Sequence, residues 1–178
     1  DLLAQVVFQM VRDTLTHGYS PNAGYGLSWW GITESALLDN IDSGVVFGDF
    51  AIELAKKHGL RLQQPLFFVG WIVLKYKHHL RKTLPLLQQA YAISLEKGDF
   101  EYASYARNNE MQARFHCGTP LAELLPEMSL AHRDLTRFQL GSSLYWHTIW
   151  WQTALNFSAP SDNVNVLSGS VYDERSEI

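Results

Sequence analysis

Cysteine is almost missing. Cys117 stands alone in 178 residues, so an internal disulfide and a cysteine-built zinc cluster are both excluded. A reducing, cytoplasmic setting is the simplest expectation. Charge is sparse as well. Fourteen Lys and Arg against eighteen Asp and Glu leave a net charge of −4. The basic residues are scattered, densest at Lys75–Lys82, so no basic face accumulates and nucleic acid is not the expected partner. No apolar run approaches the roughly 20 residues of a membrane span. The metal and phosphate motifs are missing too. There is no HExxH and no pair of Glu-x-x-His motifs, which removes the ligands of zinc-protease and di-iron sites. There is no glycine loop ending in Lys-Ser/Thr. Gly24, Gly26 and Gly31 form Gly-x-Gly-x4-Gly, the wrong spacing for a dinucleotide loop, and no strand precedes them. No cofactor is expected.

Apolar side chains, by contrast, are plentiful at 47%, enough for a sizeable core. Leu3, Val6, Val7, Met10, Val11 and Leu15 recur with helical spacing over Leu2–His17, and Gly18 is a natural stop. The chain opens inside this amphipathic helix and not in a signal peptide. It is expected to be part of a longer protein. A second helix, about Asn22 to Asp39, is apolar on nearly all sides and therefore buried. Ser43 to Gly59 reads as a third, linked to the second by Asn40-Ile41-Asp42.

These two helices carry matching stripes of small residues. Gly24, Ser28, Gly31 and Ser35 share one face; Gly44, Gly48, Ala51 and Ala55 share another. The expectation is an antiparallel hairpin with closely approaching backbones, in which Gly48→Leu would overpack the interface. Pro65–Leu80 and Leu84–Lys97 make a second hairpin, with Thr83 as a candidate cap and Pro85 in a first turn. Gly98 lies 39 residues after Gly59, and Ala90 and Ile93 then fall on Ala51 and Leu54. Asp99 can cap a helix over Phe100–Cys117. Thr119-Pro120 opens the next segment, where Pro126 should separate a short helix from a longer one over Glu127–Leu140. Gly141-Ser142 leads to a last, aromatic helix ending near Phe157. The total is about eight helices. A two-helix period near 40 residues points to an all-α solenoid of the tetratricopeptide or HEAT type. Residues 1–157 form the repeat domain and 158–178 a tail, with Ser158–Asn165 as linker and Val166–Ile178 as the start of another element.

The segments HGYSPNAGYGLSWWG (17–31), GVVFGDFAIELAKKHG (44–59) and LPLLQQAYAISLEKGDFEYASYA (84–106) resemble the tetratricopeptide-like helical region of large hybrid signalling kinases. In those proteins a Ser/Thr-kinase-like domain and an AAA-type ATPase module precede the helical stretch, and GAF and histidine-kinase domains follow it. The resemblance covers about residues 1–172. It implies an interaction or scaffold region whose partners are protein domains of the same chain or of another signalling protein. It implies no catalytic residue, because the active sites of that family lie in other domains. The period departs from the plain 34-residue consensus.

Three features bear on chemistry. His78-His79-Leu80-Arg81-Lys82-Thr83-Leu84-Pro85 resembles in outline the phospho-acceptor box His-Glu-Leu-Arg-Thr-Pro, but Lys82 and Leu84 interrupt it and its acid is missing; a basic helix end is the better reading. His116-Cys117 is expected to be a buried structural pair. The tryptophans are more open. Trp29, Trp30, Trp71, Trp146, Trp150 and Trp151 either fill the core or form a partner or ligand surface. Adjacent tryptophans cannot point the same way on a helix. One of Trp29/Trp30 and one of Trp150/Trp151 should therefore face a groove or a neighbouring element. The chain is expected to be no enzyme but a scaffold. The alternative is a sensor with an aromatic-lined pocket for a small-molecule effector.

Overall fold

Left-handed backbone closes several of the helices. Gly18, Gly59, Gly98 and Gln139 all take left-handed backbone, with φ of 91°, 63°, 68° and 57°. Each closes a helix, because a left-handed residue lets the chain leave while the last turn's carbonyls stay bonded. Gly118 (φ 73°) closes another. In a computed structural model, which describes residues 2–158 and 165–176, the described residues form eight helices and no strand beyond one isolated bridge, Ser168 to Asp173. They are α1 (Leu2–His17), α2 (Ala23–Ala36), α3 (Ile41–Lys57), α4 (Gln63–Phe68, continued by Val69–Val73 and Leu74–Lys77), α5 (Leu84–Glu96), α6 (Phe100–His116), α7 (Leu121–Phe138) and α8 (Gly141–Ser158). A 3-10 turn over Leu80–Thr83 joins α4 to α5. The chain divides into two compact units, residues 1–106 and 107–178, and the division falls inside α6.

Within the first unit, α2 and α3 form the closest-packed pair. A Cβ on Gly31 would sit 2.8 Å from the carbonyl oxygen of Gly44, and one on Gly44 would sit 2.6 Å from that of Gly31 and collide with Ser35 Oγ. At the other end of the pair, a Cβ on Gly24 would reach Ala51 O at 3.3 Å and Ala55 Cβ at 3.5 Å. The start of α2 therefore meets the end of α3, as an antiparallel hairpin requires. Ser28 sends its hydroxyl back to Gly24 O at 2.5 Å, so a buried polar group is satisfied inside its own helix. Gly48 differs from the expectation. It faces α4, where Val69 and Val73 methyls lie 3.1–3.4 Å from a built Cβ. Ala23, Leu27, Ala51 and Leu54 fill the core of the pair, with Val11, Phe47 and Leu60 against them.

Several boundaries moved for physical reasons. The α2–α3 link is Leu37–Asn40, not Asn40–Asp42: Asp39 turns the chain at φ 54°, and Asn40 N–H bonds Glu34 O at 2.8 Å. Pro126 does not split α7. It removes one bond, to the carbonyl of Ala122, and both residues lie on the exposed side, where water can serve that carbonyl. Pro120 itself, rather than Thr119, stands at the start of α7. Gly141 begins α8 and the turn is made at Gln139. Thr83 is buried and bonds Leu80 O without capping α5. Asp99 does cap α6, accepting Tyr102 N–H at 3.3 Å, and also accepts Gln63 Nε2–H at 2.8 Å.

In the second unit, Met111, Leu124, Met128, Ala131 and Ala154 make the core, with Trp150 and Trp151 packed on it. The tail folds onto α8. Asn156 Nδ2–H donates to Val166 O at 2.8 Å, and Gln152 Oε1 accepts Val171 N–H at 3.2 Å and Tyr172 N–H at 3.4 Å. Most of the expected linker, Ser158–Asn165, lies outside the described residues.

Candidate functional site

A widened turn in α4 makes the most distinctive surface of the first unit. From Gln63 to Leu74 the helix is buried residue after residue, except at Trp71 and Ile72. These two lie inside the π-helical stretch Val69–Val73. One extra residue in a helical turn rotates the side chains that follow it. Gly70 pins the turn from inside, since a Cβ there would lie 3.1 Å from Leu86 and 3.4 Å from Leu87 and Thr83 O. With the backbone held against α5, Trp71 and Ile72 swing to the rim.

Trp71 there ends a stack of rings. Its indole lies 5.4 Å from Phe67 at 18°, and Phe67 meets Tyr105 at 5.7 Å and 30°. Phe68 extends the cluster to Tyr102, Tyr25 and Trp29 at 6.1, 5.4 and 5.1 Å. Burial, reinforced by Tyr25, Glu101, Asp99 and Tyr105, holds the Tyr102 phenol above its usual range, so it stays neutral. Tyr105 is raised as well, by burial and by its hydrogen bond to Glu101 Oε1 at 3.0 Å. Beside the stack, Trp71, Ile72, Lys75 and Tyr76 line an open hollow of about 300 Å³. Lys75 is exposed at the edge of the hollow, and its partial burial there lowers its pKa. An indole face next to a cation suits an apolar or aromatic side chain flanked by an anion.

The other tryptophans occupy different settings. Trp29 and Trp30 point apart, as the helix demands. Trp29 packs on Tyr25 and Phe68, and Trp30 on Phe8 and Phe47. In the second unit Trp150 meets Phe115 and His116, and Trp151 meets His132 and His147. Trp146 is exposed, edge-on to Tyr145. Within the first unit Phe68 links Trp29 to Trp71, while Trp30 packs on other rings. Lys75, Ile72 and Tyr76 join Trp71 without having been singled out by sequence. The spacing of Trp71 and Lys75, four residues, is the available signal.

The second unit buries a polar cluster. His147 is fully buried and its Nε2 bonds Met128 O at 2.9 Å. Burial pushes its pKa down to about 4, opposed by that bond and aided by His132 and Arg107. Arg107 pairs with buried Glu110 at 2.9 Å and with Glu127 at 3.3 Å. His116 is not buried, contrary to expectation: it stands at the exposed end of α6, with its ring edge-on to Trp150 at 4.9 Å. His79 Nδ1 accepts Arg81 N–H at 3.1 Å and so caps the 3-10 turn. Among the described residues, no group of three His, Cys, Asp or Glu is placed to hold a metal ion, and no helix is long and apolar enough to cross a membrane.

No family description matches this chain, and no solved structure matches it. The chain is similar to hybrid signal transduction histidine kinase G of Dictyostelium discoideum, at 29% identity over 128 residues. That match takes in 69% of this chain but spans 4% of the relative's length.

Proposed function

We propose that the chain is a non-catalytic helical-repeat module, of solenoid type, that docks a protein domain within a multidomain signalling kinase. The observation that carries this is the Trp71 hollow: an aromatic stack raised to the rim by a π turn, with Lys75 beside it. The 39–41-residue spacing of the left-handed ends of α1, α3, α5 and α7 supports the repeat, with Gly118 dividing the last interval at the end of α6, and the similarity to a signalling histidine kinase supports the setting. The resemblance of residues 1–172 makes the neighbouring ATPase and GAF domains the first partners to try.

Thermal unfolding tests the reading, because a partner that binds only the native state raises the midpoint by mass action. The chain is heated with each candidate domain and, separately, with a metabolite library. A partner domain should raise the midpoint, and Trp71→Ala, at the rim, should abolish the rise while leaving the free chain's own helical content in place. A rise with a metabolite and with no domain would replace docking by the small-molecule sensor.

A further inference from the structure

The acids of this chain avoid one long stretch. Residues 54–95 hold seven of the fourteen Lys and Arg and none of the eighteen Asp and Glu. Four of those seven, Lys75, Lys77, Arg81 and Lys82, fall in the last turn of α4 and the 3-10 turn after it. The hollow beside Trp71 lies at this basic end. Neighbouring helices offset only part of the charge. Asp42, in the first turn of α3, takes Lys77 at 2.6 Å. In the ring cluster, Glu101 accepts the Tyr105 hydroxyl at 3.0 Å and Asp99 caps α6. Lys75 is exposed and makes no ion pair among the described residues.

Two pairs of residues four apart build the hollow. Trp71 and Lys75 form one side, Ile72 and Tyr76 the other. Trp71 needs little further ordering, because it stacks on Phe67, a side chain only 3% exposed. A ligand seated on a ring already held in place loses little affinity to side-chain entropy. The hollow is open and measures about 300 Å³, which suits one large side chain. Sites that enclose a whole small molecule are deeper and bring several polar groups together. Lys75 carries the one charge in this lining.

We infer that the hollow receives an acidic segment of the partner domain, with one aromatic side chain seated between Trp71 and Tyr76 and an Asp or Glu of the same segment on Lys75. This rests on the docking role proposed for the hollow and adds the chemistry of what docks. Single-stranded nucleic acid also combines rings with negative charge. It needs a row of cations along its backbone, whereas the lining offers one and the whole chain carries −4.

The test uses the isotope-labelled 178-residue chain and three blocked peptides that differ only in charge: Glu-Asp-Phe-Glu-Asp, Gln-Asn-Phe-Gln-Asn and Lys-Lys-Phe-Lys-Lys. The readout is the Trp71 indole N–H resonance, assigned with Trp71→Phe. The acidic peptide should move it saturably and bind about tenfold more tightly than the amide peptide. Added salt should narrow that gap. Lys75→Glu should reverse the order, so that the lysine peptide binds best. Lys75→Met keeps the aliphatic stem and should make the acidic and amide peptides equal. Both variants should keep the free chain's unfolding midpoint, since Lys75 is exposed. Equal binding of the acidic and amide peptides to the unsubstituted chain overturns the inference, as does an acid preference that survives Lys75→Glu, or a Trp71 resonance that no peptide moves. Tighter binding of oligothymidylate than of the acidic peptide would make nucleic acid the occupant. A partner domain whose midpoint rise is lost in Trp71→Ala but kept in Lys75→Glu would sink the acidic segment and leave the docking function standing.

Discussion

Glycines that look alike in the α2–α3 pair carry different loads. Gly44 lies against backbone: its missing Cβ would stand 2.6 Å from Gly31 O and run into Ser35 Oγ, and neither helix can yield without losing the pair. Gly44→Ala should therefore cost about 1–3 kcal/mol in a denaturant titration. Gly48 lies against the methyl ends of Val69 and Val73 at 3.1–3.4 Å. A shift of those methyls by a few tenths of an ångström makes room there, and alanine also favours the helix by about 1 kcal/mol. Gly48→Ala should be close to neutral, and only a large side chain such as leucine should overpack α4. Gln139 poses the opposite case. It holds φ 57° with a side chain, where α1, α3, α5 and α6 end on glycine. Gln139→Gly should stabilise the chain by about 0.5–1 kcal/mol. A loss of stability on that change would show that the Gln139 side chain matters more than its backbone.

Whole elements follow from pattern more readily than their joints do. Seven of the eight helices were legible as single elements because apolar spacing over a dozen or more residues leaves few alternatives, and Gly18, Gly59, Gly98 and Gly118 marked ends openly; α7 was expected in two pieces, broken at Pro126. The α2–α3 pairing was legible from its small-residue stripes. The joint at Gln139 was not, since glutamine gives no sign of left-handed backbone. The π turn in α4 was not legible either, because it arises from the fit of Gly70 against Leu86 and Leu87, residues of another helix. The same limit hid the tail. Nothing in Val166–Tyr172 announces that its backbone would be held by two buried amides of α8. Gln152 and Asn156 bond each other at 2.8 Å while serving Val166, Val171 and Tyr172. Gln152→Leu keeps the bulk and removes both acceptor and donor. It should free residues 166–172 to exchange their amides at least tenfold faster, with the helical signal of α8 retained. If the tail stays protected, the two tyrosines Tyr145 and Tyr172, 6.0 Å apart, are enough to hold it.

At the scale of the molecule, the two units should respond differently to acid. Residues 2–106 bury no histidine: His17, His58 and His79 are exposed and His78 is half-buried. The second unit buries His147 completely, against His132, Trp151 and the Met128 carbonyl, with Arg107 adding its field. The neutral ring can donate from Nε2 to Met128, but a second proton would put a cation beside two other basic groups. In the unfolded chain this histidine titrates near 6.5, and in the folded unit near 4. Between those values the unfolded chain binds the extra proton, so stability rises with pH. The contribution is complete above about pH 6.5 and is lost as pH falls toward about 4, amounting to about 3 kcal/mol. Arg107 cannot relieve the cost, because it is itself a cation, held to Glu110 and Glu127. Hydrogen exchange followed from pH 7.5 to 4.5, with rates corrected for intrinsic chemistry, should show α7 and α8 losing protection while α2 and α3 keep theirs. His147→Phe retains an aromatic ring that cannot charge, and should flatten the pH dependence of the second unit even where it lowers stability at neutral pH. Parallel loss of protection in both units, or an unchanged profile in the variant, would place the acid sensitivity elsewhere than at His147.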